Sequence, residues 1–309
     1  MLAVIGEHVV DLLPTESGLY RPALGGSPFN VAIAAARQGI AVSYLSPLSQ
    51  DDFGQQFAAY LQSNGAQYGL SFFSQQPTSL AMVSFDQHQQ PRYSLYRQGV
   101  ADRDISATQQ IAALPQGCQL LHLGSLAFEP VDGPRILTVL AQAQQQQIKL
   151  AIDINVRLNA VSDVSKYREL LLTIIAQSQF IKASDEDLNL LWPEYSTSEA
   201  LATLQQLAPN ALIALTEGEQ GASIYWQQHR AQRPVIKAEP FVDTVGAGDT
   251  FWANLLVALL RLGLPTPSEI NPEQLSQCLH RAMLAASLNI AQAGCQPPDQ
   301  ARLDHTMQS

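Results

Sequence analysis

The feature that most constrains this chain is a recurrence of short, nearly uninterrupted apolar runs, each closing on a glycine or polar cluster and followed by helical periodicity. Leu2 to Gly6, Leu120 to Gly124, Leu150 to Asp153, Phe180 to Ser184 and Ala211 to Leu215 are too short for helices. They also lack the alternation of a half-wet strand, so they read as parallel strands buried on both faces, with Ile40 to Leu48 as another. Helical patterns span Phe29 to Gln38, Phe57 to Ser63, Ile136 to Gln144, Phe251 to Leu260 and Cys278 to Ala291. The expected fold class is therefore α/β: a doubly wound, mostly parallel sheet with helices on both faces and ligands at the C-terminal strand ends. With 309 residues, 46% of them hydrophobic, the chain suits one domain over 1–309. Ser79 to Tyr96 departs from the rule. It alternates apolar and polar residues around the turn Asp86 to Pro91, as a hairpin with one wet face does.

Composition narrows the partners. A net charge of −10 excludes general affinity for nucleic acid or anionic membrane, so any anionic ligand must be met by local dipoles, single basic side chains or metal ions. Cys118, Cys278 and Cys295 show no metal spacing and suit a reducing compartment. The N-terminus enters an apolar strand directly and no apolar run reaches membrane-spanning length, so a cytoplasmic location is expected.

The stretch Asp243-Thr-Val-Gly-Ala-Gly-Asp-Thr-Phe251 carries the chemistry. A Gly-Ala-Gly turn opening an apolar helix makes backbone N–H groups converge, which is an anion site. Gly246 and Gly248 allow close backbone approach, and Asp249 sets a carboxylate at the mouth of the same nest. One reading makes Asp249 a general base for a hydroxyl attacking a phosphoryl group, with the N–H groups of Ala247, Gly248 and Asp249 holding the developing charge. The other makes Asp249 a helix cap on an ordinary loop. No Walker A phosphate loop is present, since Lys149, Lys166, Lys182 and Lys237 never follow a glycine. Phosphate charge would then fall to backbone N–H groups, Mg²⁺, Arg157 and Lys182.

That stretch resembles the C-terminal motif of the PfkB or ribokinase-like carbohydrate kinases, and Gly25-Gly26-Ser-Pro-Phe-Asn30-Val-Ala resembles their N-terminal one. The two motifs stand in the expected order, and the likeness runs from about Ala3 to Pro298. It implies a ribokinase-like fold with a small β-strand lid from about 8–24 and 79–98, a homodimer through that lid, and transfer of the γ-phosphoryl of ATP to a sugar hydroxyl. By resemblance Asp11 binds sugar hydroxyls; a turn aspartate is the alternative. Gly25 and Gly26 let a sugar ring lie against backbone and Asn30 can donate and accept to its hydroxyls, unless the pair is only a tight turn before a helix.

Tyr96-Arg97 followed by Ala101-Asp102 resembles the segment that places an arginine on the substrate in fructokinases and 2-keto-3-deoxygluconate kinases. An edge-strand arginine is the rival reading. In Asp153-x-Asn155-x-Arg157 the arginine either meets the transferring phosphoryl group or pairs with Asp153. The family commonly has Asn-x-x-Glu where this chain has Ser184-x-x-Asp187, so Asp187 would hold Mg²⁺ through water, or Ser184 simply caps a helix. Thr216 and Gly218 are implied in ATP contact and Gly221 in the turn that follows, where residues alone indicate only a hairpin. Asp243, Val245, Asn289, Gln292 and Gly294 are implied in a K⁺ site beside the adenine. Asp52-Phe53-Gly54 matches a protein-kinase triplet, but no His-Arg-Asp precedes it, so it reads as a turn into a helix. These resemblances imply a ketose kinase, fructokinase first, then a 2-keto-3-deoxygluconate kinase, a ribose or nucleoside kinase, or a non-catalytic sensor on the same fold.

Overall fold

The structure is a computed structural model that describes residues 1–15, 17–85, 91–161 and 163–308. Its strands are β1 (Leu2–Val4), β2 (Val9–Pro14), β3 (Tyr20–Gly25), β4 (Val42–Tyr44), β5 (Gln67–Tyr68), β6 (Ser79–Phe85), β7 (Pro91–Tyr96), β8 (Leu120–Gly124), β9 (Lys149–Asp153), β10 (Phe180–Ser184), β11 (Leu212–Thr216), β12 (Ala222–Trp226) and β13 (His229–Arg233). The α-helices are α1 (Ser27–Arg37), α2 (Asp52–Ser63), α3 (Ala107–Ala112), α4 (Gly133–Gln145), α5 (Val164–Ile175), α6 (Asp185–Leu191), α7 (Thr197–Leu207), α8 (Ala247–Arg261), α9 (Pro272–Ile290) and α10 (Gln300–Gln308).

Among the described residues nine strands form one sheet in the order β13-β12-β11-β10-β9-β8-β1-β4-β5, parallel from β5 through β11 and antiparallel beyond. The two-residue period of β1 shows why both faces need helices. Leu2 and Val4 enter a core built from α1, α2, α8 and α9, while Ala3 and Ile5 enter another built from α4, α5, α6 and α7. Parallel strands send all their C-terminal ends to one edge, so Gly6, Gly124, Asp153, Ser184 and Thr216 share a rim.

A second sheet, ordered β3-β2-β6-β7, is made of the strands expected to form a lid. The turn expected at Asp86 to Pro91 lies, up to Gln90, outside the described residues. The Asp-Phe-Gly triplet sits at the start of α2, which Asp51 caps by accepting from Gly54 N–H. No helix is long and apolar enough to cross a membrane among the described residues.

Candidate active site

Two helix N-termini meet to make the site. Gly26, at φ +110°, ends β3 and opens α1; a Cβ there would meet the Glu7 carbonyl oxygen at 2.5 Å, so only glycine lets this turn rest on the β1 end. Gly246, at φ +72°, opens α8, and a Cβ there would meet Cys295 Sγ at 2.3 Å. Helix α1 packs along α8 and brings their first turns together. There Asp249 is buried, with Ser27 Oγ donating to its Oδ1 at 2.7 Å and Asn30 Nδ2 donating to its Oδ2 at 2.8 Å. Burial raises its carboxyl above the ordinary aspartate range; Ser27, Asn30, Lys182 and Arg157 pull the other way. Asp249 is thus no cap: α8 has no side-chain cap, and this carboxylate points across to α1.

The anion hole is narrower than the motif suggests. Ala247 N–H donates to the Thr244 carbonyl at 3.1 Å and so leaves the nest, whereas the N–H groups of Gly248 and Asp249 have no protein acceptor among the described residues. Directly against Gly248 lies Lys182, whose Nζ would stand 3.5 Å from a Cβ at that glycine. Lys182 donates to both oxygens of Asp153 at 2.9 and 2.8 Å. Burial pulls the ammonium down, but Asp153, Asp187 and Asp249 more than offset this and keep it protonated. Asp153 therefore pairs with Lys182 and not with Arg157. Arg157 stays exposed, its Nη1 donating to the Val156 carbonyl, and its charge acts on Asp249.

Asp187, expected to hold Mg²⁺ through water or to follow a Ser184 cap, is already heavily hydrogen-bonded. Its Oδ2 accepts from Ser184 N–H and Oγ, both at 2.8 Å, and its Oδ1 accepts from Val156 N–H at 2.7 Å. Ser184 in return caps α6. Aspartate, one methylene shorter than glutamate, closes onto its own helix start and braces the loop that carries Arg157. Three of its roughly four lone-pair sites are filled, which leaves room for one water-mediated contact to a cation. Among the described residues no group of three or more acidic, histidine or cysteine side chains gathers as a metal site.

The lid contributes one side chain as expected and turns another away. Asp11 on β2 is half-buried, its Oδ2 lies 2.8 Å from where a Cβ on Gly25 would sit, and burial pushes its carboxyl up to about 6. Asp11 pairs with Ala81 and Ala81 with Leu95, so these share one face; Tyr96 pairs with Leu80 and Leu80 with Val10, on the other. Tyr96, expected to contact substrate, projects from the face opposite to Asp11 and is 57% exposed, whereas Leu95 shares the Asp11 face.

Arg97 is also corrected as a free cation. It is buried, paired with Asp102 at 2.9 Å and Glu129 at 3.1 Å, and close to Ser79. Glu129 continues to Arg103, Arg103 to Asp132 and Asp132 to Arg135. Beside this chain Glu7 is pushed up to about 7, by burial against the pull of Arg97. A cavity of about 820 Å³ lined by Leu95, Arg97, Glu129, Asp132, Arg135 and Val161 lies here and does not include Asp249.

On the nucleotide side, Thr216 ends β11, Gly218 has φ +53° with open space over it, and Gly221 must be glycine because a Cβ would meet the Arg233 carbonyl at 2.1 Å. The expected cation ligands are knit to one another. Asp243 accepts from Val245 N–H and Gly294 N–H, Asn289 Nδ2 donates to the Val245 carbonyl, and Gln292 N–H donates to the Asn289 carbonyl. Asn289 Oδ1 accepts from Gln296 N–H, so its side chain staples two loops instead of meeting a ligand. Residue reading missed Ser27, Glu7 and Glu129. Only Ser27 carried a signal, its place inside the Gly-Gly-Ser-Pro turn.

Comparison with known proteins agrees with this geometry. The profile of the pfkB family carbohydrate kinases matches residues 1–302. Fructokinase of Rhizobium leguminosarum bv. trifolii is 28% identical over 274 residues, 87% of this chain and 83% of that one. The crystal structure of fructokinase from Vibrio cholerae O395 with fructose, ADP and calcium superposes with a TM-score of 0.82, at 24% identity over 98% of this chain and 97% of that one. The crystal structure of aminoimidazole riboside kinase from Salmonella enterica with aminoimidazole riboside and an ATP analogue gives 0.83, at 22% identity over 98% of each. A match over nearly the whole sequence, with both motifs folded against one another, makes this chain a member of the pfkB family of carbohydrate kinases and an ATP-dependent sugar kinase.

Proposed function

We propose that this enzyme transfers the γ-phosphoryl of ATP to a hydroxyl of a ketose, converting D-fructose to fructose 6-phosphate, with Asp249 as general base. The observation that carries the reading is the environment of Asp249: a buried carboxylate held only by neutral donors, next to two unpartnered N–H groups and above the ammonium of Lys182. Such a group accepts a proton, while the N–H pair, Lys182 and Arg157 stabilise charge on the migrating phosphoryl group. Asp11, Gly25, Gly26 and the carbonyl of Asn30 receive the sugar. Thr216 and Gly218 face the nucleotide phosphates. Asp187 would hold Mg²⁺ through water, and the ion, when bound, would supply neutralisation of phosphate charge. A K⁺ ion would be held by the Asp243, Val245, Asn289, Gln292 and Gly294 loops, which are already preorganised by their own hydrogen bonds.

Relatives named fructokinase support the sugar. The charge on the lid side favours a neutral substrate over 2-keto-3-deoxygluconate, because Arg97, Arg103 and Arg135 are each paired with carboxylates. The enzyme would act in the cytoplasm as a single ribokinase-like domain. It would pair through the lid face on which Tyr96 and Tyr20 lie exposed. Coupled turnover across fructose, ribose, aminoimidazole riboside and 2-keto-3-deoxygluconate, repeated with Asp249→Asn, tests the reading. Fructose-dependent ADP release abolished by the variant is expected; binding of sugar without turnover in the wild type would make the protein a sensor.

A further inference from the structure

The two donors to Asp249 are chemically unlike. Asn30 offers an amide N–H that can only donate, and its carbonyl remains for the sugar. Ser27 offers a hydroxyl that rotates, and its 2.7 Å bond engages Oδ1 of the same carboxylate. Both sit in the first turn of α1, in the motif that forms the sugar side of the site, whereas Asp249 lies 222 residues along the chain at the phosphoryl side. Ser27 has no structural need to be serine: α1 is opened by Gly26 with no side-chain cap bond, and Pro28 follows. Its hydroxyl is directed at the base.

We propose that Ser27 is a positioning residue for phosphoryl transfer, its hydroxyl fixing the orientation of Asp249 and holding it in the ionised form that takes a proton from the sugar. The proposal rests on Asp249 being the base. Burial disfavours the charged carboxylate, and each donor to it offsets that cost. The charged or titratable groups that face Asp249 are Lys182 on β10, Asp153 on β9, Arg157 in the loop after β9 and Cys295 in the loop after α9. None of them touches Oδ1 within a hydrogen bond, so removing Ser27 leaves that oxygen without its donor.

The sign follows directly. Asp249 works deprotonated, so kcat/KM rises with pH through its titration. Loss of the Ser27 donor disfavours the charged form and moves that rise upward.

The experiment is the pH profile of kcat/KM for Ser27→Ala, Ser27→Cys and Ser27→Thr. For Ser27→Ala the acid limb is expected about one pH unit higher, equivalent to about tenfold lower activity at a pH well below the limb. Ser27→Cys, a weaker donor of similar size, is expected between, and Ser27→Thr to return the limb toward the wild-type position. A limb that stays put in Ser27→Ala while activity drops evenly at all pH values overturns the proposal. The ¹³C carboxyl resonance of Asp249, identified by its loss in Asp249→Asn, is titrated in parallel on the substrate-free protein. If no sugar is phosphorylated, the kinase reading with Asp249 as base fails by itself. The carboxyl titration still decides whether Ser27 sets the ionisation of Asp249: an upward shift in Ser27→Ala supports it and an unmoved titration overturns it.

Discussion

Two buried polar clusters border the sugar site, and they use charge in opposite ways. At the helix junction Asp249 is met by a hydroxyl and an amide, so its charge is supported but not cancelled. At the base of the lid Arg97 is met by two carboxylates, and the pairing continues through Arg103, Asp132 and Arg135. Neutral donors leave a group able to take up a proton; opposite charges at 3 Å fix it in one state. The first arrangement belongs to chemistry and the second to architecture, although both centre on a residue that a family motif marks for the substrate.

The largest effect separating them should come from Asp249→Asn. It keeps size and hydrogen-bonding reach but removes the base, so kcat should drop by about 10²–10⁴-fold with sugar binding retained, measured by coupled assay and calorimetry. Arg97→Met should act on the other axis. It strands the buried Asp102, while Glu129 keeps its pairing with Arg103, and should lower stability by about 3–5 kcal/mol in denaturant titrations, as expected when one partner of a buried pair is removed. A drop in kcat with unchanged stability would reverse the assignment.

The pH dependence of sugar binding gives a smaller effect. Asp11, raised to about 6 by burial, would accept from sugar hydroxyls more strongly while ionised than when protonated. As pH falls through about 6 it takes up a proton, and KM for sugar should rise severalfold; Asp11→Asn should show a KM that no longer varies there. The smallest effect is expected from Tyr96→Ala, which should leave KM within about twofold because its side chain is on the outer lid face. Leu95→Trp, on the inner face, should raise KM far more. Equal effects would show that the lid faces have been assigned the wrong way round.

Much of this was legible in the sequence. Leu120–Gly124 and Phe180–Ser184 are strands to the residue, because short runs closed by glycine or polar residues leave little choice of ends. Helices α3, α5, α7 and α10 and strand β13 were not read; α5 does carry a helical stripe, Tyr167, Leu170, Leu171, Ile174 and Ile175, whereas α3 is short and α10 and β13 are mostly polar. The motif around Asp249 pointed to the proposed base, but not to the turn of Ala247 N–H back to Thr244, which depends on the local loop path. Tyr96 was misread because alternation tells which residues share a face but not which face meets the core; that needed the register with Asp11, a pairing across distant strands. Arg97 looked available because its partners Asp102 and Glu129 are brought in by the fold. The Ser184 cap on α6 was legible at Ser184-x-x-Asp187, but the bond from Val156 N–H to Asp187 shows only once α6 sits beside the Arg157 loop.

The most direct test is the crystal structure of the protein with fructose and a non-hydrolysable ATP analogue. One sugar hydroxyl should lie about 2.6–3.2 Å from an Asp249 oxygen, in line with the terminal phosphoryl group, whose oxygens meet the N–H groups of Gly248 and Asp249. A sugar seated with no hydroxyl in reach of Asp249, or with its reacting hydroxyl held by the Arg97 cluster instead, would contradict the assignment of Asp249 as the base.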